Sequence, residues 1–239
     1  MIRLGWETDE VAHITLDRPR RRNALDVQAC TDLRAATEEV VAAGARSVVL
    51  RGSGGHFCSG ADLAAVEDPA FTPALQAALQ ALAQAPLLVV AALEGACMGG
   101  GVQLALAADV RVVSTDARLS VPAARLGLAV DGWTARRLAA VAGAGEAAAL
   151  LLAAAEIDGA RAHAIGLAQR IGTPADAVAW ALEAAALAPL TVQAHKLALA
   201  CPDGDPEAEA ARAAAWRSAD LREGRAAFAE RRPPRFTGR

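Results

Sequence analysis

Three consecutive glycines, Gly99 to Gly101, interrupt an otherwise apolar stretch of the chain, ACMGGGVQLALAAD at 96–109. Glycine loses more conformational freedom on folding than any other residue, so three in a row are costly unless bare backbone is needed there. The preceding segment PLLVVAALEG at 86–95 has the continuous apolar pattern of a strand buried on both faces. A second glycine-rich segment, GSGGHFCSGAD at 52–62, follows a similar strand, SVVLRG at 47–52. The chain is therefore expected to form a sheet with glycine-lined loops at its strand ends.

Strand and helix patterns alternate along the first 130 residues, which is typical of an α/β protein with parallel strands. We predict a hairpin from strands 2–8 and 11–17, a helix capped by Asp26 that ends near Gly44, and the following further elements: helix 72–84, the glycine-led helix to 108, and strands 109–114 and 119–122. From Trp133 the pattern is helical throughout, with Asp158 and Thr173 expected to open helices. The fold class predicted from this pattern is α/β with an all-helical C-terminal region.

The composition excludes several classes of function. A length of 239 residues fits one domain or one domain with a small appendage. The net charge of −3 lacks the excess of basic residues that is typical of nucleic-acid-binding proteins. The four cysteines are far apart in sequence and form no C-x-x-C pair, which argues against a disulfide framework or a zinc site. The N-terminal segment is acidic where a signal peptide is apolar, and the richest apolar segments are far shorter than the ~20 residues that span a bilayer. We expect a cytoplasmic protein without a metal, a nucleic-acid partner or membrane insertion.

The two glycine-rich loops lack the spacing of known phosphate-binding motifs. The chain has no G-x-x-x-x-G-K-[ST] sequence, and neither GSGG nor GGG fits G-x-G-x-x-G. Two backbone N–H groups that converge on one point would instead form an oxyanion hole, which polarises a carbonyl group. Each loop taken alone is better explained by tight turns and close helix packing, so the loops by themselves do not predict an oxyanion hole.

Six segments together resemble the crotonase superfamily of enoyl-CoA hydratases and isomerases. They are RPRRRNAL (18–25), SVVLRGSG (47–54), HFCSGADL (56–63), GACMGGGVQLALAADVRV (95–112), GLAVDGWTARRL (127–138) and DLREGRAAFAERRPPRF (220–236). The resemblance covers nearly the whole chain in the expected order. It implies a spiral core of repeated ββα units and a homotrimer or dimer of trimers. It divides the chain into a core with a helical extension, 1–200, and a C-terminal helical region for trimerisation and the CoA site, 201–239.

The resemblance also implies where an acyl-CoA would bind. By position, the backbone N–H groups of Ala61 and Gly100 would form the oxyanion hole, and glycine at a helix N-terminus suits developing negative charge. Coenzyme A enters as part of the ligand, and no separate cofactor is implied. Its expected contacts, together with pocket residues, are Arg21, Arg22, Ala24, Ser59, Asp62, Leu63, Gln103 and Trp133. Arginine suits the CoA phosphates, although solvated surface arginine is an alternative for each one.

Two positions depart from the pattern of the hydratases. The family's catalytic glutamates fall three residues after the oxyanion glycine and directly after the proline of a short strand. This chain has Gln103 and Ala123 there. Neither side chain can accept a proton, and each general acid–base group contributes roughly 10²–10⁴-fold, so efficient hydration is not expected.

Asp131 is the remaining carboxylate in this neighbourhood. It matches the position of a catalytic aspartate in dienoyl-CoA isomerases of the family, and desolvation beside an acyl chain would raise its pKa. The alternative role is a turn residue or an N-cap ahead of Trp133, because Asp-Gly is a strong turn signal. Trp133 either narrows the acyl tunnel or anchors the core.

Two hypotheses about function follow. The favoured one is a protein that binds or carries fatty acyl-CoA in lipid metabolism and has little or no hydratase activity. The alternative is an active acyl-CoA isomerase or weak hydratase with Asp131 as its single acid and base. A nucleotide-binding regulator is supported only by the arginine clusters at 18–22 and 231–235.

Overall fold

Nine strands form two β-sheets in the computed structural model, which covers all 239 residues. The strands are β1 (Ile2–Thr8), β2 (Val11–Leu16), β3 (Ser47–Gly52), β4 (Leu88–Leu93), β5 (Ala96–Met98), β6 (Val110–Val113), β7 (Arg118–Ser120), β8 (Glu156–Asp158) and β9 (Arg170–Ile171). The larger sheet has the order β1-β2-β3-β4-β6-β9, and only its β1–β2 hairpin is antiparallel. The smaller sheet has the order β5-β7-β8.

Ten α-helices connect and cover these strands. They are α1 (Val27–Ala42), α2 (Phe71–Gln84), α3 (Gly100–Ala107), α4 (Gly132–Ala142), α5 (Ala144–Leu152), α6 (Gly159–Ala164), α7 (Pro174–Ala185), α8 (Pro189–Ala200), α9 (Pro206–Arg217) and α10 (Ala219–Glu230). The predicted caps are confirmed, since Asp26, Asp158 and Thr173 each accept a backbone N–H of the first helical turn. These side chains satisfy amides that have no partner within the helix.

The central strands β3 and β4 are buried on both faces, as their unbroken apolar runs predict. Val48 and Leu50 of β3 belong to the main core, which includes α1 and α2, whereas Val49 packs in a second cluster with α7. This alternation follows from the two-residue period of a strand. The sheet therefore lies between two helical layers, and polar groups at its strand ends are held on a rigid support.

Parallel pairing brings the two glycine-rich segments to one edge of the sheet. β3 and β4 are paired in parallel from Ser47 with Leu88 to Arg51 with Ala92, so the chain leaves both strands on the same side. Open α/β sheets commonly bind ligands at this carboxyl edge.

The predicted all-helical region is wrong in one respect, because it contains β8 and β9. β8 pairs antiparallel with β7, and β9 pairs with only two residues of β6, Val112 and Val113. Both strands are too short to carry an alternating pattern, and their pairing depends on neighbours far away in sequence. β5 was missed for the same reason. No single helix is long and apolar enough to cross a membrane; only α7 and α8 taken together pass on length and composition, and they meet at a bend of 111°.

Candidate functional site

The loop after β3 is joined to the arginine-rich turn before α1. Leu25 N–H donates to Gly60 O (2.8 Å), and Asp62 N–H donates to Leu25 O (2.7 Å). Ser59 N–H donates to Arg22 O at 2.9 Å. These bonds form a short parallel bridge between 25 and 61. The structure thus brings together most of the predicted CoA contacts, which are Arg21, Arg22, Ala24, Ser59, Ala61 and Asp62.

Asn23 fixes the shape of that turn. Its Nδ2 donates to the carbonyl oxygens of Ser53 (2.9 Å) and His56 (2.8 Å), and its Oδ1 accepts the N–H of Arg18 (2.9 Å). Arg22 and Asn23 both adopt left-handed backbone conformations, with φ of 47° and 59°. Non-glycine residues keep such conformations only where surrounding contacts hold them. Sequence reasoning missed this role of Asn23. The one local indication was the residue type, because asparagine tolerates a left-handed backbone conformation.

The charges at this turn are not equivalent. The Arg21 guanidinium contacts Asp62 Oδ2 at 2.7 Å, and Arg18 contacts Asp26 at 2.8 Å. Partial desolvation acts to raise the pKa of Asp62, but the hydrogen bond from Arg21 and the charges of Arg21 and Arg18 hold it below its usual range. The exposed side chain of Arg22 makes no ion pair or hydrogen bond. Arg22, like the neighbouring exposed Arg20, therefore has its charge fully available to an anion.

The N-terminus of α3 lies directly against the loop after β3. A Cβ on Gly101 would come 2.3 Å from the carbonyl oxygen of Cys58, so only glycine allows this approach. Gly99, with φ of 50°, turns the chain into the helix. The position of a Cβ on Gly100 is 3.6 Å from Ala61 N, which places the two backbone segments side by side.

The amides of Ala61 and Gly100 are both available to a ligand. Ala61 N–H donates to no backbone carbonyl outside the regular elements, and Gly100 is the first residue of its helix, where no intrahelical acceptor exists. Two adjacent N–H groups at a helix N-terminus can hold a carbonyl oxygen and stabilise negative charge on it. The geometry fits the predicted pair.

Cysteines beside this point are packing residues. Cys58 and Cys97 are fully buried, and the Cys58 sulfur accepts the Gly60 N–H at 3.4 Å. Burial raises the pKa of the Cys58 thiol to about 12 and that of Cys97 well above its ordinary value. Neither thiol is a nucleophile, because reactivity requires the thiolate.

Gln103, Thr134 and Asp131 form a hydrogen-bonded triad on the adjoining helices. Gln103 Nε2 donates to Asp131 Oδ2 (3.1 Å) and to Thr134 Oγ1 (3.0 Å). The Thr134 hydroxyl donates to Asp131 Oδ2 (2.6 Å), and its N–H donates to Asp131 Oδ1 (2.9 Å). Asp131 is thus the N-cap of α4. Sequence reasoning missed the role of Thr134. Its position was the available signal, because a capping aspartate commonly accepts the backbone N–H of the residue three positions later.

The pKa of Asp131 shifts in the direction opposite to the one expected from the sequence. Burial acts to raise it, but hydrogen bonds from the Thr134 hydroxyl and from the amides of Thr134 and Trp133 outweigh burial, and the net pKa is lowered. Hydrogen bonds to the ionised form explain this direction. The expectation of a raised pKa was wrong because it counted desolvation without the donors that satisfy the carboxylate.

Trp133 and Asp131 line a cavity of about 720 Å³ between α2, α4 and α8. Trp133 is 38% exposed, so it forms a wall of that cavity and does not anchor the core. Neither Ala61 nor Gly100 lines the cavity. Leu63 is 61% exposed, and Ala123, where the hydratases carry a glutamate, is a partly buried residue packed against the main core.

Comparisons with known proteins agree with this arrangement. Residues 7–239 match the family model described as enoyl-CoA hydratase/isomerase. A Mycobacterium tuberculosis protein named "probable enoyl-CoA hydratase" is 41% identical, over 97% of this chain and 98% of its own. The Arabidopsis thaliana peroxisomal Delta(3,5)-Delta(2,4)-dienoyl-CoA isomerase is 32% identical, over 67% of this chain and 65% of its own.

A solved structure gives the same result for the fold. The enoyl-CoA hydratase/carnithine racemase from Magnetospirillum magneticum superposes with a TM-score of 0.91 at 31% identity, and the match covers 100% of this chain and 96% of that one. The predicted α/β crotonase-like fold is confirmed.

Proposed function

Because the chain belongs to the enoyl-CoA hydratase/isomerase family, we propose that it binds a fatty acyl-CoA thioester and has little or no hydratase activity. The observation that carries the proposal is the pair of free amides at Ala61 and Gly100, which lie side by side at the N-terminus of α3. A thioester oxygen that accepts from both would sit where the helix dipole favours it. The glycines leave the approach to these amides unobstructed.

Coenzyme A would then lie along the turn at 21–25. The unpaired guanidinium of Arg22 suits a phosphate, and Arg21 contributes less because Asp62 already neutralises part of its charge. The backbone pairing between this turn and the loop 59–62 keeps the phosphate contacts in register with Ala61. The same scaffold therefore supports both ends of the ligand.

Loss of hydratase chemistry follows from the side chains near the thioester. Gln103 is an amide and Ala123 is a methyl group, and neither accepts or delivers a proton at neutral pH. Asp131 is a weak base because three donors already hold its carboxylate and its pKa is lowered. Isomerisation through Asp131 remains a second candidate, since this side chain borders the neighbouring cavity.

A homotrimer or dimer of trimers is part of the proposal. Large apolar side chains of the C-terminal helices stand exposed, including Leu199 (85%), Trp216 (67%) and Phe228 (88%). Such a surface suits burial against another copy. Light scattering of the purified protein measures the assembly mass and distinguishes a monomer from a trimer and a hexamer.

Calorimetric titration with acyl-CoAs of increasing length tests the proposal, beside a hydratase assay on crotonyl-CoA. We expect acyl-CoAs to bind more tightly than free CoA and crotonyl-CoA hydration to be slow. Equal affinities for CoA and acyl-CoA, or rapid hydration, would overturn the proposal.

A further inference from the structure

The segment between β7 and α4 contains an exposed apolar turn. A short 3₁₀ turn, Pro122–Leu126, ends at Gly127, whose φ is 69°. Leu126 is 51% exposed and Leu128 is 39% exposed, and they flank this glycine in the chain. A Cβ on Gly127 would meet nothing within 4 Å, so the turn projects into open space.

Two further large apolar side chains belong to this region. The Arg125 guanidinium donates to Ala154 O at 2.9 Å, which fixes the end of α5 beside the turn. Leu152, two residues before Ala154, is 81% exposed. Trp133 is exposed in the first turn of α4, five residues after Leu128 in the chain. We call these four side chains the apolar tip: Leu126, Leu128, Trp133 and Leu152.

The charges around the apolar tip are mainly basic. Arg125 and Arg136 are exposed and form no ion pair, and Arg136 shares a face of α4 with Trp133, three residues before it. The carboxylate of Asp131 is held within the triad. Glu156, the first residue of β8, is the exposed carboxylate that follows α5. Two free guanidinium groups therefore outnumber this one free carboxylate.

The apolar tip is too small for a stable contact with another protein. The exposed parts of its four side chains amount to roughly 400 Å², a common size for the largest apolar patch of a monomer. Each partner of a stable complex buries about 800 Å². A two-fold contact between copies would also bring the arginines of both copies together, and like charges at an interface repel.

We propose that the apolar tip docks on the surface of an anionic lipid membrane. Leucine and tryptophan side chains enter the boundary between headgroups and acyl chains, where tryptophan is enriched. Arg125 and Arg136 then face anionic headgroups, and each basic residue near such a surface contributes about fivefold in affinity. Docking of this kind reaches the headgroup level and requires no helix that crosses the bilayer.

Cosedimentation of the full chain with lipid vesicles tests the proposal. The vesicles contain phosphatidylcholine alone or equimolar phosphatidylcholine and phosphatidylserine. No acyl-CoA is present, so the result is independent of the proposed function. The mixed vesicles should bind roughly 25-fold more tightly, the product of two fivefold contributions. Arg125→Gln with Arg136→Gln should remove that difference.

A pair of leucine variants separates the apolar tip from other exposed leucines. Leu126→Ser with Leu128→Ser should lower the affinity for mixed vesicles at least about tenfold, because two apolar side chains no longer leave water. Leu182→Ser with Leu187→Ser is the matched control at the end of α7, where the exposed fractions of 38% and 53% are similar. The control should bind as the wild type does.

Tryptophan fluorescence gives a second measurement that needs no leucine variant. Vesicles with brominated acyl chains should quench the wild type and Trp216→Phe, because Trp133 lies at the membrane. The quenching should be lost in Trp133→Phe.

Several results would overturn the proposal. They are equal binding to the two kinds of vesicle, equal loss of binding in the two leucine pairs, and quenching that persists in Trp133→Phe. Light scattering covers the other occupant. If the wild type binds no vesicles and Leu126→Ser with Leu128→Ser lowers the assembly mass, the apolar tip is a contact between copies and the proposal fails.

Discussion

Gly100→Ala, which adds a single methyl group, should weaken ligand binding without preventing folding. The Cβ of Gly100→Ala would lie 3.6 Å from Ala61 N, in the approach that a thioester oxygen needs to reach both amides. The nearest atom to that Cβ is Leu25 Cδ1 at 3.2 Å, the end of a flexible side chain that can give by a few tenths of an ångström. Position 100 has no left-handed backbone requirement. The variant should therefore fold.

The expected magnitude follows from the two hydrogen bonds. Each contributes about 1 kcal/mol net, so the loss of both costs about 2 kcal/mol of binding free energy, or roughly 30-fold in Kd. Alanine in place of glycine in a helix gains up to about 1 kcal/mol, which offsets the crowding of Leu25. The melting temperature should consequently change by no more than a few degrees.

Calorimetric titration with octanoyl-CoA measures the effect, and thermal unfolding confirms that the variant is folded. Gly145→Ala in α5 is the matched control, because a Cβ there meets nothing within 4 Å and the position is remote from α3. Wild-type affinity in a folded Gly100→Ala protein would refute the role of these amides.

Three further predictions concern protons. Crotonyl-CoA hydration should be at least ~10²-fold slower than in a glutamate-bearing relative. The double variant Gln103→Glu with Ala123→Glu should raise the hydration rate, and the increase should be largest when Asp131→Asn also removes the carboxylate that faces position 103. Asp131→Asn alone should lower the free energy of unfolding by about 1–2 kcal/mol in chemical denaturation, because an amide keeps the cap but loses acceptors. Neither the wild type nor Asp131→Asn should exchange acyl-chain protons for solvent deuterium. Stability should fall below about pH 4.3, since the hydrogen bond from Arg232 lowers the pKa of Glu223 to about 2, and Glu223→Gln should weaken that pH dependence.

Each of these has a contradicting result. Rapid wild-type hydration would show that positions 103 and 123 were misinterpreted. Deuterium exchange that stops in Asp131→Asn would establish Asp131 as a base. For the acid range, the unfolded carboxyl takes up its proton first as the pH falls, so the contribution of Glu223 is present above about pH 4.3 and is lost towards about pH 2. An unchanged pH profile in Glu223→Gln, equal to that of the exposed control Glu67→Gln, would contradict it.

Much of the fold was predictable because its signals are local. The unbroken apolar runs of β3 and β4, the cap at Asp26 and the capping sequence at Thr173 each specify their element within a few residues. β5, β8 and β9 were not predictable, because strands of two or three residues are set by partners distant in sequence. Local patterns do not record such pairing.

The candidate site was likewise predictable only where its signals are local in the sequence. The glycines of α3 and the arginine turn were visible in the sequence, since glycine runs and arginine clusters are local compositional signals. The triad of Gln103, Thr134 and Asp131 was not, because its geometry joins two helices and decides which end of the amide is free. The direction of the Asp131 pKa depended on donors that only the folded chain supplies.

The account rests on one claim, that the amides of Ala61 and Gly100 hold the carbonyl oxygen of a thioester. Comparison of octanoyl-CoA with S-octyl-CoA, a thioether of the same chain length without that oxygen, tests it most directly by calorimetry. Two hydrogen bonds of about 1 kcal/mol each predict that the thioester binds roughly 30-fold more tightly than the thioether. Equal affinity of the two ligands would contradict the claim, whatever their affinity relative to free CoA.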